Sequence, residues 1–515
     1  MTRSNFLALA RGLFPIFAAA LLLEAGAGRA EAPDSAYPAL TPLRVSGGRI
    51  VDANGSTVIL RGVGVNQLGD YFQANPKVPS TIPLTRRDFE QMAEIGINSV
   101  RLVITWSTLE PERGKFDSAY LARVKEAVGW ARDNGIYVVL DMHQDSWGKY
   151  VVADPDVPCK KPLLHNIGWD GAPEWATITD GKNRCMLIHR EFSGAGWRAW
   201  QSFWQNRDGI QDRFIATWAW VASEFKDDPT VAGYDLLNEP NWGEDYLRAV
   251  YKWLPEFHGK TLKAIRRAEG NSPPKLVFFE PIIVWSVLPG SPTVKFTDDH
   301  DIVYAPHIYL GSISLDMFLL HRELMPLRSG YVTANREAAA YHTTFWNGEW
   351  MPGPGDHAFR LAALEDEFQV GGARWIWKSS CGDPHRMIDY WPARDQAPEG
   401  ELNNVIVTRC GDPEHPEGVD LRVNEVDRVV LSRPYPRAFP SPATFAANPQ
   451  ERTLEMNGVA PRAGIPLTVW IPGAGEPTVK SEGLENSRLK KVTGGWMLEA
   501  ASAAGPWRLS VQGRD

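Results

Sequence analysis

A chain of 515 residues exceeds one average domain, and its 43% hydrophobic and 23% charged composition belongs to a globular protein with large cores, not to a disordered chain. A net charge of −8 without a basic stripe argues against a nucleic-acid partner, because phosphate binding draws on clustered Lys and Arg. Neutral or amphiphilic ligands fit this balance better.

The chain opens with Arg3, an apolar run around Leu13 to Leu23 and the small-residue sequence Ala30-Glu31-Ala32, the layout of a secretory signal peptide cleaved near Ala32. The run is shorter than the roughly 20 residues a membrane-spanning helix needs. The mature protein is therefore expected to be exported, either secreted or periplasmic.

After a polar stretch, Val58 to Asn66 is β-rich, and Arg86 to Ile95 has helical spacing of Phe89, Met92 and Ile95. Strand Ile97 to Trp106, helix Ala119 to Arg132 and strand Ile136 to Asp145 follow, then a long loop and a Trp-rich helical stretch from Trp197 to Phe225. Strand Val231 to Glu239 leads to helix Tyr246 to Ala268, strand Lys275 to Pro281, strand Ile302 to Tyr309 and a helical region from Leu315. Strand His342 to Trp350, helix Ala358 to Phe368 and strand Ala373 to Ser379 complete the alternation. Strands that are apolar on both faces and separated by helices predict a parallel sheet, and eight such units close into a (β/α)8 TIM barrel.

An open doubly wound sheet is the competing architecture, but it binds its ligand at one switch point. Here polar residues end nearly every strand: Asn66, Arg101, His143, Glu239, His307, Glu349 and Trp377. A barrel gathers all those ends around one pocket. Beyond Arg433-Pro434-Tyr435-Pro436 the pattern turns to short alternating runs such as Leu467 to Ile471 and Trp496 to Glu499, set off by Gly and Pro. The expected organisation is thus a signal peptide over 1–32, a catalytic barrel over 33–430 and a small β-sandwich over 431–515.

Four cysteines in an exported chain make two disulfides, with three connectivities open. Cys159 and Cys185 share one long loop and Cys381 and Cys410 another, so pairing within each loop is the economical arrangement. Neither pair has the Cys-x-x-Cys spacing that favours zinc.

Two strand ends carry carboxyl groups suited to paired chemistry. Glycosidic hydrolysis needs one carboxyl to protonate the leaving oxygen and a second to attack the anomeric carbon from the opposite face. Glu239 in Asn238-Glu239-Pro240 supplies the first, and burial beside a second carboxylate is expected to raise its pKa and keep it protonated. Glu349, in Phe345-Trp346-Asn347-Gly348-Glu349-Trp350, supplies the nucleophile, with Gly348 leaving room for close approach.

With Asn-Glu-Pro ending strand four, a Gly-Glu strand seven, Arg101 on strand two, His143 on strand three and His307-Ile308-Tyr309 on strand six, the barrel resembles glycoside hydrolase family 5. Asp141-Met142-His143-Gln144-Asp145 and Leu431-Ser432-Arg433-Pro434-Tyr435-Pro436-Arg437-Ala438 further resemble its endoglycoceramidase and glycosylceramidase branch. The resemblance implies a retaining β-glycosidase acting on glycosphingolipids, with no cofactor and no metal, and transient contact with a membrane surface through the substrate. It implies that Arg101 and Tyr309 orient Glu349 and hold its charge, that Asn238 binds the sugar 2-hydroxyl, and that His143 and Asp145 contact other hydroxyls. It also places His307 near Glu239 and makes Trp377 a stacking platform.

Competing readings attend these residues. Arg101 also fits a core ion pair, Trp377 a packed position among 21 tryptophans, and Asp145 a loop cap. The first-strand rim, Asn66-Gln67-Leu68-Gly69-Asp70, lacks a lysine to bind sugar, and the loops 146–194 and 381–424 exceed what a minimal barrel needs. Rival functions are a β-glucanase or mannanase acting on polysaccharide or oligosaccharide, a non-catalytic sugar binder, and a metal-dependent barrel hydrolase built on Asp141, His143 and Asp145, which alternate along one strand.

Overall fold

The computed structural model describes residues 37–515 apart from 74, 153–157, 165–168, 188–189, 287–288, 310–325, 354 and 385–399. The expected signal peptide and the helical region beginning at Leu315 lie outside or largely outside these residues. No helix among the described residues is long and apolar enough to cross a membrane.

Three short strands come first: β1 (Arg44–Ser46), β2 (Arg49–Val51) and β3 (Thr57–Val58). The barrel then follows in β4 (Arg61–Val65), β5 (Ser99–Thr105), β6 (Tyr137–His143), β7 (Val231–Asp235), β8 (Leu276–Phe279), β9 (Ile302–Tyr304), β10 (Asn347–Trp350) and β11 (Gly372–Arg374). These eight strands pair in parallel in the order β10-β11-β4-β5-β6-β7-β8-β9, and a parallel bridge from Tyr304 to Phe345 joins the two ends. The predicted barrel is present. Every residue of β5 and β6 is buried, as a sheet covered on both faces requires.

The helices between strands are those the periodicity predicts, including Arg86–Glu94, Ser118–Asp133 and His357–Phe368. The Trp-rich stretch is two helices, Gly194–Trp204 and Ile210–Phe225, because Asn206, Asp208 and Gly209 take left-handed backbone between them. Ser193 caps the first of these by accepting from Gly196 N at 3.0 Å, which ends the long loop at a fixed point.

Downstream, β12 (Gly400–Asn403), β13 (Ile406–Cys410) and β14 (Val419–Val423) form a small antiparallel sheet in the second long loop. The disulfides are Cys159–Cys185 and Cys381–Cys410, so each long loop is closed on itself.

The C-terminal strands are β15 (Tyr435–Phe439), β16 (Ala443–Asn448), β17 (Thr453–Ala460), β18 (Pro466–Pro472), β19 (Gly475–Glu482), β20 (Leu484–Val492), β21 (Gly495–Ser502) and β22 (Gly505–Arg514). They build a β-sandwich of two antiparallel sheets, ordered β1-β2-β3-β15-β18-β21-β20 and β16-β17-β22-β19. Leu467, Val469 and Leu498 from one sheet pack on Leu454, Trp507 and Leu509 from the other. The larger sheet takes in β1 to β3, where the sequence pattern predicts polar chain up to Val58.

Candidate active site

Arg101 is fully buried inside the barrel and organises the strand ends around it. Its Nε donates to Asp235 Oδ2 at 2.9 Å, and its Nη2 donates to Asn238 Oδ1 and Glu280 Oε1, each at 2.9 Å. Nη1 donates to Glu349 Oε1 at 2.5 Å, and Asp141 lies 3.1 Å from Nη2. One guanidinium thus faces four carboxylates. Arg101 both belongs to a buried ion network and bonds Glu349, so the two readings of its place coincide.

Tyr309 donates its hydroxyl to Glu349 Oε2, which fixes the second oxygen of that carboxylate. His307 lies between the two glutamates, with Nδ1 3.0 Å from Glu239 Oε1 and 3.5 Å from Glu349 Oε2, and Nε2 3.2 Å from Glu280. Gly348 makes room for this ring, since a Cβ there would sit 2.8 Å from His307 Cδ2. Carboxylate oxygens of Glu239 and Glu349 and a nitrogen of His307 all lie within 4.8 Å of one another.

Glu239 has a φ of +38°, a left-handed conformation costly for a non-glycine residue by about 1–3 kcal/mol. The turn is held from both sides. Glu280 Oε2 accepts from Glu239 N at 2.8 Å, while Gln144 Nε2 donates to the carbonyls of Asn238 and Glu239 at 2.8 and 3.1 Å. The Glu239 side chain accepts from His307 at Oε1 and from Arg190 Nη2 at Oε2, the latter at 3.3 Å.

The charge state of this acid differs from the sequence expectation. Burial does push the Glu239 carboxyl up, but the hydrogen bond and charge of His307, with the charge of Arg190, outweigh it and bring the pKa below the usual range. Burial also opposes charge on His307, yet Glu280, Glu349 and Glu239 together hold its pKa well above the ordinary imidazole value. The proton of the pair therefore rests on the imidazole. Burial raises Asp235 well above its usual range with Glu280 adding to the effect, and burial raises Glu280 despite His307 and Arg101.

His143 is brought to the same pocket, with Nδ1 2.7 Å from Asp141 Oδ2 and Nε2 3.5 Å from Asn238 Nδ2. Burial works against its charge, but Asp141 and Asp170 raise its pKa well above the usual value. Asp145 is buried as well, engaged by Arg190 at 2.6 Å and 3.8 Å from His143. It is tied into the site's charge network more tightly than a loop cap would be.

Trp377 does not occupy the place expected of a platform. It is fully buried and donates its indole N–H to Asp88 Oδ1 at 3.0 Å, packed between the barrel and helix Arg86–Glu94. Trp375 lies by the pocket instead, its ring stacked on His143 at 5.2 Å between centroids and 7° between planes. Gly64 permits this position, since a Cβ there would meet Trp375 Cε3 at 2.7 Å.

Among the described residues, two groups of donor atoms are close enough to share a cation: His143 with Asp145 and Asp170, and Glu239 with His307 and Glu349. In both, protein cations already answer the carboxylates, Arg190 at Asp145 and Glu239, and Arg101 at Glu349.

Glu280, Arg190, Glu191 and Trp375 are site residues the sequence reading missed. Glu280 carried a signal, because Phe278-Phe279-Glu280-Pro281 repeats the apolar-run, Glu, Pro order of Leu236-Leu237-Asn238-Glu239-Pro240. Arg190 and Glu191 carried none, since they reach the pocket from within a long loop.

The family model for cellulase (glycosyl hydrolase family 5) matches residues 51–344. Endoglycoceramidase I of Rhodococcus hoagii (strain 103S) is 27% identical over 293 residues, covering 54% of this chain and 55% of that protein. Endoglycoceramidase of Hydra vulgaris is 26% identical over 253 residues, covering 42% and 45%. The chain spans about half the length of these curated relatives. A crystal structure of endogalactoceramidase is 38% identical with a TM-score of 0.82, over 91% of this chain and 99% of that one. Endo-glycoceramidase II from Rhodococcus sp., captured as a lactosyl-enzyme intermediate, shares the fold at 22% identity and a TM-score of 0.65, over 90% and 99%.

Proposed function

The chain belongs to the cellulase family, glycosyl hydrolase family 5, and on that premise we propose that it is a retaining β-glycosidase that releases the glycan of glycosphingolipids from ceramide. Glu349, held by Arg101 and Tyr309, attacks the anomeric carbon while Glu239 protonates the leaving oxygen. The covalent glycosyl-enzyme is then hydrolysed by a water whose proton passes to Glu239. The proton for the first step is stored on His307 and reaches the leaving oxygen by way of Glu239 across their 3.0 Å contact. The observation that carries this chemistry is the carboxylate spacing. An oxygen of each lies within 4.8 Å of one on the other, a spacing that suits the roughly 5 Å carboxyl separation of a double displacement better than the wider gap of an inverting pair.

The sugar is taken to lie against Trp375, with Asn238 reaching its 2-hydroxyl and His143 and Asp145 other hydroxyls. The substrate class is supported by the surface beside the acid. Trp242, two residues past Pro240, packs on Phe192 and Tyr246 at ring distances of 5.8 and 6.3 Å, and Phe192 follows Glu191 in the loop that touches Glu239. Leu247 and Tyr251 stand beyond them, 65% and 57% exposed. An exposed apolar patch of this kind marks a place where a partner is bound. On this reading the patch takes the leaving-group side, where ceramide chains must be kept from water and where the enzyme would touch the membrane surface.

Incubation with galactosylceramide, glucosylceramide, a longer-glycan glycosphingolipid, soluble β-glucan and mannan, with products identified by mass spectrometry, tests this reading. Intact ceramide and free glycan are expected. Cleavage of polysaccharide alone would reject the lipid substrate and keep the carboxyl pair.

Export is likewise proposed, because two disulfides close the active-site loops and such bonds persist in oxidising compartments. The mature N-terminus should then be found near Ala32 by intact-mass measurement of the exported protein, and an uncleaved chain retained in the cytoplasm would contradict this.

A further inference from the structure

Arg190 and Glu191, in the stretch between β6 and helix Gly194–Trp204, reach the acid from outside the barrel strands. Ser146 Oγ donates to Arg190 O at 2.7 Å, and the Arg190 guanidinium lies 4.6 Å above the centre of the Trp169 ring. Its Nη2 is 2.6 Å from Asp145 Oδ1 and 3.3 Å from Glu239 Oε2, while its Nε donates to Glu191 Oε1 at 3.2 Å. Glu191 in turn accepts from Asn241 Nδ2 at 2.7 Å, two residues past Glu239. Arg190 and Glu191 are both buried, so this arrangement is set before any substrate arrives.

We propose that Arg190 is a positioning residue for the acid/base: carried on the chain just past the Cys159–Cys185 disulfide, its guanidinium holds Glu239 Oε2 against Asp145 and supplies the second of two positive charges facing that carboxyl. The proposal rests on Glu239 being the acid/base. His307 fixes one oxygen from the barrel, and Arg190 fixes the other from the loop. The charged and titratable groups around Glu239 are His307 and Tyr309 following β9, Asp145 following β6, Glu280 following β8, Glu349 on β10, and Arg190 and Glu191 on the loop. Among these, His307 and Arg190 are the cations. Removing Arg190 leaves Glu239 with His307 alone against several carboxylates, so its proton should be held more tightly. A Coulombic partner at this range moves a carboxyl by about 1–3 pH units.

The test uses the full-length enzyme and aryl β-glycosides of poor and good leaving groups, in whichever of the galactoside or glucoside series the wild type turns over, so ceramide plays no part. The kcat/KM against pH is measured for wild type, R190Q, R190K and E239Q, with thermal melts to confirm folding. On the poor-leaving-group substrate, R190Q should lose about tenfold or more and move the basic limb up by about one unit or more, with far less change on the good one. R190K keeps the charge and should keep the limb near its wild-type position, whatever rate it loses with the planar fork. Equal losses on both substrates with an unmoved limb in R190Q, or a limb that moves as far in R190K, would overturn the proposal and leave Arg190 a packing residue. An E239Q that loses equally on both substrates would instead overturn the acid/base assignment on which the proposal stands, a distinguishable failure.

Discussion

Two buried ion networks sit at the two ends of the barrel, and their charge balance differs. Near the strand starts, Arg61 and Arg433 meet Glu365 and Asp366, two cations against two carboxylates. Arg61 also lies 3.8 Å over the Tyr435 ring, and the Tyr435 hydroxyl donates to Gly96 O at 2.7 Å, so the Arg433-Pro434-Tyr435-Pro436 motif pins the sandwich to the barrel. At the strand ends, Arg101 faces Asp141, Asp235, Glu280 and Glu349, and His143 and His307 reach three of these carboxylates. Burial raises a carboxyl in both networks, Glu365 in the first and Asp235 and Glu280 in the second, but only in the second do surrounding carboxylates also hold imidazoles, His143 and His307, well above their usual pKa. The same kinds of residue make a clamp at one end and chemistry at the other.

Substitutions at each end separate these roles. Glu349→Gln should lower turnover of every substrate by roughly 10^4-fold or more with the melting temperature little changed, measured by steady-state kinetics beside calorimetry. Glu239→Ala should cost on the order of 10²–10⁴-fold on poor leaving groups and far less on activated ones, read from a leaving-group series. Arg433→Met leaves one cation for two buried carboxylates, so unfolding free energy should fall by about 3–5 kcal/mol with kcat/KM of the folded enzyme unchanged. Arg101→Met should lose both stability and activity, and if it lost stability alone the distinction between the two ends would collapse.

A smaller effect tests the unbalanced end by pH. Burial, opposed by Arg190 and Asn241, pushes Glu191 from an ordinary 4.5 up to about 7. The native state therefore keeps a proton that the unfolded chain releases near 4.5, and stability falls as pH rises from there to about 7. Glu191→Gln removes that penalty, so its gain in melting temperature should be a few degrees larger at pH 7.5 than at pH 4.5. A gain independent of pH would show that Glu191 is ionised in the folded protein.

The barrel and the meeting of Glu239 and Glu349 in one pocket were legible because each strand is a compact apolar run, and a barrel turns strand ends into one site. Strands β1 to β3 were not, since they are only two or three residues long and β3 pairs with β15 far along the chain. Trp375 and Trp377 differ by two positions, which alternation would place on one face, but the regular strand ends at Arg374 and their indoles go to different surroundings. The sign of the Glu239 shift depended first on His307, which the resemblance places beside it, and then on Arg190, whose place no local pattern encodes.

Covalent trapping with an aryl 2-deoxy-2-fluoro-β-glycoside, followed by proteolysis and mass spectrometry, addresses the double displacement itself. One sugar per chain, attached to the peptide at Glu349, is the predicted result. A label on another residue, or an inverted product released without any label, would contradict the assignment of Glu349 and Glu239 as nucleophile and acid/base.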